Sequence, residues 1–383
     1  MARVLFVATA GAGGDLQPLM AVALALGDRG HELNVLGDRS VERSLAGLKL
    51  NTEVFPPELD LGPVLGGAIR DAMAATDGDL GAAGPIVRER MKAWAIDIAV
   101  PIVHAVVTQR PDALVTSLFG VEAVYDADPA CPWVVVNSTF YVGPDPPRPL
   151  EADFGPRALP LIRGYASLLG SPDLVLHATD PIFDLSFDKL PEKHHYVGPL
   201  GIWEPPSERP SYLDEPGDPW VLVSISSQMQ DDVPIAEAAL NALGDRPARV
   251  LLTLGPDHTS AELAVVPQNT RVEQLISHSA FLEQATLLVS HAGHGSVMKA
   301  LWYGCPMVLV PWGRDQPGVA ARAAALGVAK IVPRDEASPA AIGEAVTRVL
   351  DDGGMREKAE HHAARLQLTD PPDVAAGLIE GLL

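Results

Sequence analysis

Short apolar runs of strand length alternate along the chain with longer stretches of helical period. In the first half the runs are Val4–Ala8, His31–Leu36, Ala113–Thr116, Trp133–Val136 and Leu174–His177. Between the first two, Leu16 to Gly27 reads as a helix with Pro18 in its first turn, a tolerated position. Residues 55–95 are richer in Gly, Ala and Met, break the alternation, and are expected to form helices and loops over a sheet edge. Residues 201–219 carry five prolines and a run of acidic side chains, the composition of a linker. Alternation then restarts with Trp220–Ser224, Val250–Leu254, Leu287–Ser290, Met307–Val310 and Val328–Val332. A helix from Pro339 to Leu350 follows, with Ser338 placed to cap it. Strands that are apolar throughout, joined by helices, mean a parallel sheet covered on both faces. The expectation is an α/β chain of two doubly wound, Rossmann-like domains facing each other across a cleft, strand C-termini toward the cleft.

Composition narrows the function. At 383 residues and 47% apolar, the chain is long enough for two domains with filled cores. No apolar run reaches membrane-spanning length, and Met1 leads straight into a strand pattern without a signal peptide. Cys131 and Cys305 each precede Pro in an apolar run and read as reduced core residues, so the expected location is the cytoplasm. A net charge of −21 argues against nucleic acid and anionic membrane surfaces as partners.

The densest chemistry lies at His291-Ala292-Gly293-His294-Gly295-Ser296, between an apolar strand and a helical run. Glycine lets backbone approach a ligand closely, and a helix start offers free N–H groups and a positive dipole end. Two imidazoles and a hydroxyl add side-chain donors, so the stretch suits a phosphate; the alternative is a tight turn with incidental histidines. After Met307–Val310 comes Trp312-Gly313-Arg314-Asp315-Gln316-Pro317, where Asp315 accepts and Gln316 both donates and accepts. That pair can bind vicinal sugar hydroxyls, or the loop can simply cap a helix. Ser226 and Ser227, before Gln228, stand at another strand exit and could help hold a phosphate. Gly13-Gly14-Asp15 follows the first strand; Asp15 is either a helix N-cap or a general base.

These residues resemble the GT-B inverting glycosyltransferases that modify antibiotics, sterols and other lipophilic molecules. The resemblance covers nearly the whole chain and is strongest from Arg271 to Leu326. His291–Ser296 looks like the family's diphosphate loop and Gly313–Pro317 its sugar-contacting loop. It recurs at Gly14-Asp15-Leu16-Gln17-Pro18 and at His195–Leu200. It implies an acceptor-binding domain over 1–205, a nucleotide-sugar domain over 206–370, and a helix over 371–383 that crosses back to the first domain. It implies direct displacement with inversion, Asp15 as base, and leaving diphosphate held by His291, Gly293, His294, Gly295 and Ser296. Ile276 would read the nucleobase through its backbone. No cofactor and no metal are expected, the nucleotide sugar being a co-substrate; Asp126 and Asp128 read as a solvated helix end.

Two departures from the family pattern matter. Many relatives carry His where this chain has Asp15, although glycopeptide and sterol enzymes also have Asp. Plant-type relatives place Glu, which binds both ribose hydroxyls, at the position of Lys299, and an aromatic base-stacking residue at that of Leu275. Lysine accepts no hydrogen bond, so a TDP-sugar is favoured over a UDP-sugar. The acceptor pocket is expected from residues 55–95, Phe119 and Asn137–Tyr141. Expected partners are the donor and a small lipophilic acceptor, for a monomer or homodimer. Other readings are a sugar-nucleotide epimerase, a non-catalytic auxiliary of another transferase, and an NAD or flavin oxidoreductase suggested by Gly11–Gly14 with Asp38. The last lacks the third Gly, its place taken by Leu16.

Overall fold

The computed structural model describes every residue except 10–13, 49, 205–207, 228–229, 231 and 256–257. Gly13 and Gln228, within two of the candidate stretches, lie outside the described residues. The chain divides into two units, Met1–Trp203 with Thr369–Leu383, and Glu204–Leu368. Each division falls two residues short of the expected boundary.

The first unit holds β1 (Arg3–Ala8), β2 (Glu32–Gly37), β3 (Asn51–Val54), β4 (Ala113–Ser117), β5 (Trp133–Asn137), β6 (Leu174–His177) and β7 (His194–Tyr196). They form one parallel sheet in the order β3-β2-β1-β4-β5-β6-β7. The central strands β4 and β5 are buried at every position, so their runs of Val, Leu and Trp are apolar without alternation. The helix Leu16–Asp28 packs on β1, its residues Leu19, Met20, Val22, Ala23 and Leu26 all inaccessible. Against it lies the last helix, Pro371–Glu380, whose Ala375, Ala376 and Ile379 join the same core. Arg29 donates to Asp373 Oδ1 at 2.6 Å and also to Glu380, which meets His31 at 2.9 Å.

The second unit holds β8 (Trp220–Ser224), β9 (Arg249–Thr253), β10 (Thr270–Glu273), β11 (Ala285–Ser290), β12 (Met307–Leu309) and β13 (Ala329–Ile331). Their order is β10-β9-β8-β11-β12-β13, again parallel. Strand order reverses between β1 and β4 in one unit and between β8 and β11 in the other. Helices leave opposite faces there, opening a crevice at the strand C-termini. Asp15 follows β1; Ser226 follows β8 and His291 follows β11.

Three strands escape the sequence pattern: β3, β7 and β10. β3 and β7 are edge strands of the first sheet and β10 of the second, only partly buried. With one neighbour and one wet side they need no continuous apolar run. The stretch 55–95 contributes helices Leu61–Ala75 and the start of Leu80–Gln109. The second, 30 residues long with an 18-residue window of mean hydropathy 1.4, is long and apolar enough to cross a membrane by length and composition alone. It packs against Leu61–Ala75, Val121–Ala127 and Leu159–Leu168, and Arg88 on it pairs with Glu122 at 2.7 Å.

Candidate functional site

The loop after β11 is built by one unusual residue. Ala292 adopts φ +68°, the left-handed region that costs a residue with a Cβ roughly 1–3 kcal/mol. That turn delivers Gly293 to the N-cap of the helix His294–Trp302. The first helical bond runs from Val297 N to Gly293 O at 3.0 Å, so the preceding N–H groups have no partner within the helix. The His291 ring lies directly over Gly293: a Cβ there would sit 2.6 Å from His291 Nε2. Gly293 is therefore required by the imidazole, whereas a Cβ on Gly295 would meet nothing within 4 Å. Gly295 and Ser296 are half-buried at the helix start. His294 is buried, and burial with the charge of Arg322 pushes its pKa down to about 3, so it stays neutral.

The exit of β8 closes on the same place. His291 Nδ1 lies 3.4 Å from Ser224 O and 4.0 Å from Asp232 Oδ2. Asp232, wholly buried, accepts from Ser226 N at 2.9 Å. Ser226 is buried and Ser227 half-buried beneath Gly255, whose φ of +73° and whose Cβ position, 2.8 Å from Ser226 O, both demand glycine. Asp232 and Gly255 had no place in the sequence-derived site. The signal for Asp232 was an N-cap pattern, Asp before Val233-Pro234.

In the loop after β12, Asp315 takes the N-cap position of the helix Gln316–Ala325 without a side-chain capping bond. Gln316 is 2% exposed. Its Oε1 accepts from Trp312 N and Gly313 N at 2.8 Å, and its Nε2 donates to Gln230 at 3.0 Å. The carboxamide thus braces its own loop, the rim on which Asp315 stands.

Lys299, on the fourth residue after Gly295, is buried and donates to Glu204 Oε1 at 2.6 Å. Glu204 also accepts from Ser277 Oγ at 2.7 Å, His278 N at 3.1 Å and Ser279 N at 3.0 Å. An acceptor thus reaches Lys299 from 95 residues away, and both of its oxygens are engaged. Burial pushes the Glu204 carboxyl up, but the charges of Lys299 and His278 and the hydrogen bonds bring it down to about 2. Ile276 is half-buried and Leu275 is 69% exposed, an apolar side chain in solvent.

In the first unit Asp15 occupies the N-cap of Leu16–Asp28, yet its carboxylate makes no capping bond. It is 7% exposed and accepts a hydrogen bond from Ser138 Oγ, which orients it. Of the expected acceptor lining, Phe140 and Tyr141 are inaccessible core residues: Tyr141 stacks on Phe187 and its N–H donates to Asp184 at 2.9 Å. Phe119 is half-buried, edge-on to Tyr165 at 5.9 Å. Asp126 lies in the last turn of the helix Val121–Ala127 and Asp128 is its C-cap with φ 45°, and no cluster of three or more metal-ligating side chains occurs among the described residues.

Residues 237–380 match the C-terminal domain of the erythromycin biosynthesis protein CIII-like family. Demethyllactenocin mycarosyltransferase of Streptomyces fradiae is 29% identical over 208 residues, 52% of this chain and 43% of that protein. The chain spans about half the length of the curated relatives it matches. A calicheamicin glycosyltransferase has the same fold at TM-score 0.74 and 22% identity, covering 100% of this chain and 98% of that one. The glycosyltransferase VinC, solved with dTDP, gives TM-score 0.70 at 18% identity, covering 99% and 98%. With two parallel, doubly wound sheets in two units, the chain has the GT-B fold of these glycosyltransferases.

Proposed function

We propose that this protein transfers a sugar from a TDP-sugar to a hydroxyl of a small lipophilic natural product, with inversion and without metal. The observation that carries this is the loop His291–Ser296, where a left-handed Ala292 aims a helix start and an imidazole at one point. That geometry is an anion site with several donors. The acceptor hydroxyl attacks the anomeric carbon while Asp15 takes its proton. The bond from that carbon to the diphosphate oxygen breaks with its electron pair, and TDP leaves. General-base help of this kind is worth about 10²–10⁴-fold. Hydrogen bonds to the departing charge from residues 293–297 contribute roughly 1.5–3 kcal/mol each. Asp315, on the rim braced by Gln316, contacts the donor sugar.

The thymidine preference follows from Lys299. Both oxygens of Glu204, its companion carboxylate, are already engaged. No matched acceptor pair remains there for a ribose diol, so UDP gains nothing over TDP. The thymine methyl gains from an apolar neighbour such as Leu275, about 0.8 kcal/mol for one carbon group. Titration calorimetry with TDP and UDP tests the donor assignment. TDP is expected to bind at least as tightly, and UDP binding tenfold tighter would show that the ribose diol is read elsewhere.

A further inference from the structure

The imidazole of His291 is held so that only one neutral form suits its surroundings. Its Nδ1 faces Ser224 O at 3.4 Å and Asp232 Oδ2 at 4.0 Å. Both are pure acceptors, so Nδ1 carries a proton; Ser290 Oγ, at 3.5 Å, can accept as well. In the neutral ring, Nε2 then presents a lone pair. That is the edge lying over Gly293, at the helix start. A phosphate oxygen arriving there would meet a lone pair unless Nε2 is protonated too.

Asp232 stands where such an imidazolium needs a counter-charge. It is wholly buried, and its Oδ2 accepts from Ser226 N and Gln230 Nε2, each at 2.9 Å. Among the described residues its Oδ1 accepts no hydrogen bond and looks toward His258 Nε2 at 3.9 Å. His258 Nδ1 is occupied by Glu262 at 2.8 Å. The other charged or titratable groups acting on His291 are Arg314, from the loop after β12, and His278, from the helix His278–Leu282 beside Lys299 and Glu204. Burial and Arg314 oppose charge on His291, whereas Asp232 and the Ser224 carbonyl favour it. The free loop is therefore neutral near pH 8 and poised to take up a proton when an anion comes.

We propose that the diphosphate of the nucleotide sugar binds together with one proton, taken up at His291 Nε2, with Asp232 as the buried positioning residue that supplies the counter-charge. This rests on reading His291–Ser296 as the diphosphate site. Binding is then linked to pH: affinity falls by up to tenfold per unit above the pKa of the free imidazole.

The test is calorimetry with TDP-glucose at pH 8 in buffers of different ionisation enthalpy. Each phosphorus of that probe carries one ester bond, the shared anhydride oxygen and one strongly acidic hydroxyl that does not titrate near pH 8, so any proton exchange belongs to the protein. Uptake of close to one proton is expected, with tighter binding at pH 6. Asp232→Asn should lower the uptake and weaken binding at least tenfold at pH 8, less at pH 6. Tight binding that is unchanged from pH 6 to 8, without proton uptake, would overturn the proposal and leave the diphosphate reading standing. Full uptake in a folded Asp232→Asn variant would overturn the part given to Asp232. If that variant does not fold, the wild-type proton count decides. No binding of TDP-glucose at any pH would overturn the diphosphate reading and this proposal together.

Discussion

Replacing Lys299 by Met keeps an unbranched side chain, one atom shorter, and removes its charge. The change strands Glu204, whose side chain is 12% exposed and whose partner ammonium lies 2.6 Å away. The carboxyl is held at about 2, against an ordinary 4.5. That difference corresponds to about 3 kcal/mol of folding stability, at the lower end of the roughly 3–5 kcal/mol for breaking one side of a buried pair. Burial penalises the charge of Lys299 itself and lowers its pKa, so the pair as a whole contributes less than the carboxylate's share. The sign follows from the lowered carboxyl. Its contribution is complete above the unfolded value near 4.5 and is lost as pH falls through about 2. Lys299→Met should therefore melt about 6–12 °C below wild type at pH 7, taking 2–4 °C per kcal/mol for a unit of this size. The gap should narrow toward pH 3. Lys299→Met with Glu204→Gln removes both charges and should recover much of the loss. Thermal unfolding followed by circular dichroism measures all three proteins. A single variant within about 1 °C of wild type, or a double variant no better than the single, would refute the reasoning.

Asp15→Asn should keep the fold and TDP affinity and cut turnover by about two or more orders of magnitude; turnover within a few-fold of wild type would remove Asp15 from the base role. Activity should survive exhaustive EDTA treatment, and loss restored by Mg²⁺ or Mn²⁺ would return attention to Asp126 and Asp128. Gly293→Ala places a Cβ 2.6 Å from His291 Nε2 and must displace the ring. TDP should then bind at least tenfold more weakly in calorimetry, and unchanged affinity would show that the ring takes no part.

The parallel sheets were legible because their buried strands leave continuous apolar runs, and the loop at His291 because its glycines, imidazoles and hydroxyl fall within six residues. Edge strands β3, β7 and β10 carry mixed polar sequences and gave no comparable signal. Phe140 and Tyr141 looked the same whether they lined a pocket or filled a core; the structure puts both in the core. Glu204 was beyond reach because its partners Ser277, His278, Ser279 and Lys299 lie 73–95 residues away, joined only by folding. Asp232 entered no reading of the sequence. Only the alignment of β8 beside β11 brings it near His291.

Sugar transfer itself is tested most directly by incubating the purified protein with a library of lipophilic hydroxyl acceptors and TDP- or UDP-sugars, then measuring product mass. The account predicts an acceptor heavier by one dehydrated sugar, formed from TDP-sugars at least as well as from UDP-sugars, and released with free TDP. Isomerised nucleotide sugar formed without acceptor, or product only when a second protein is added, would contradict it.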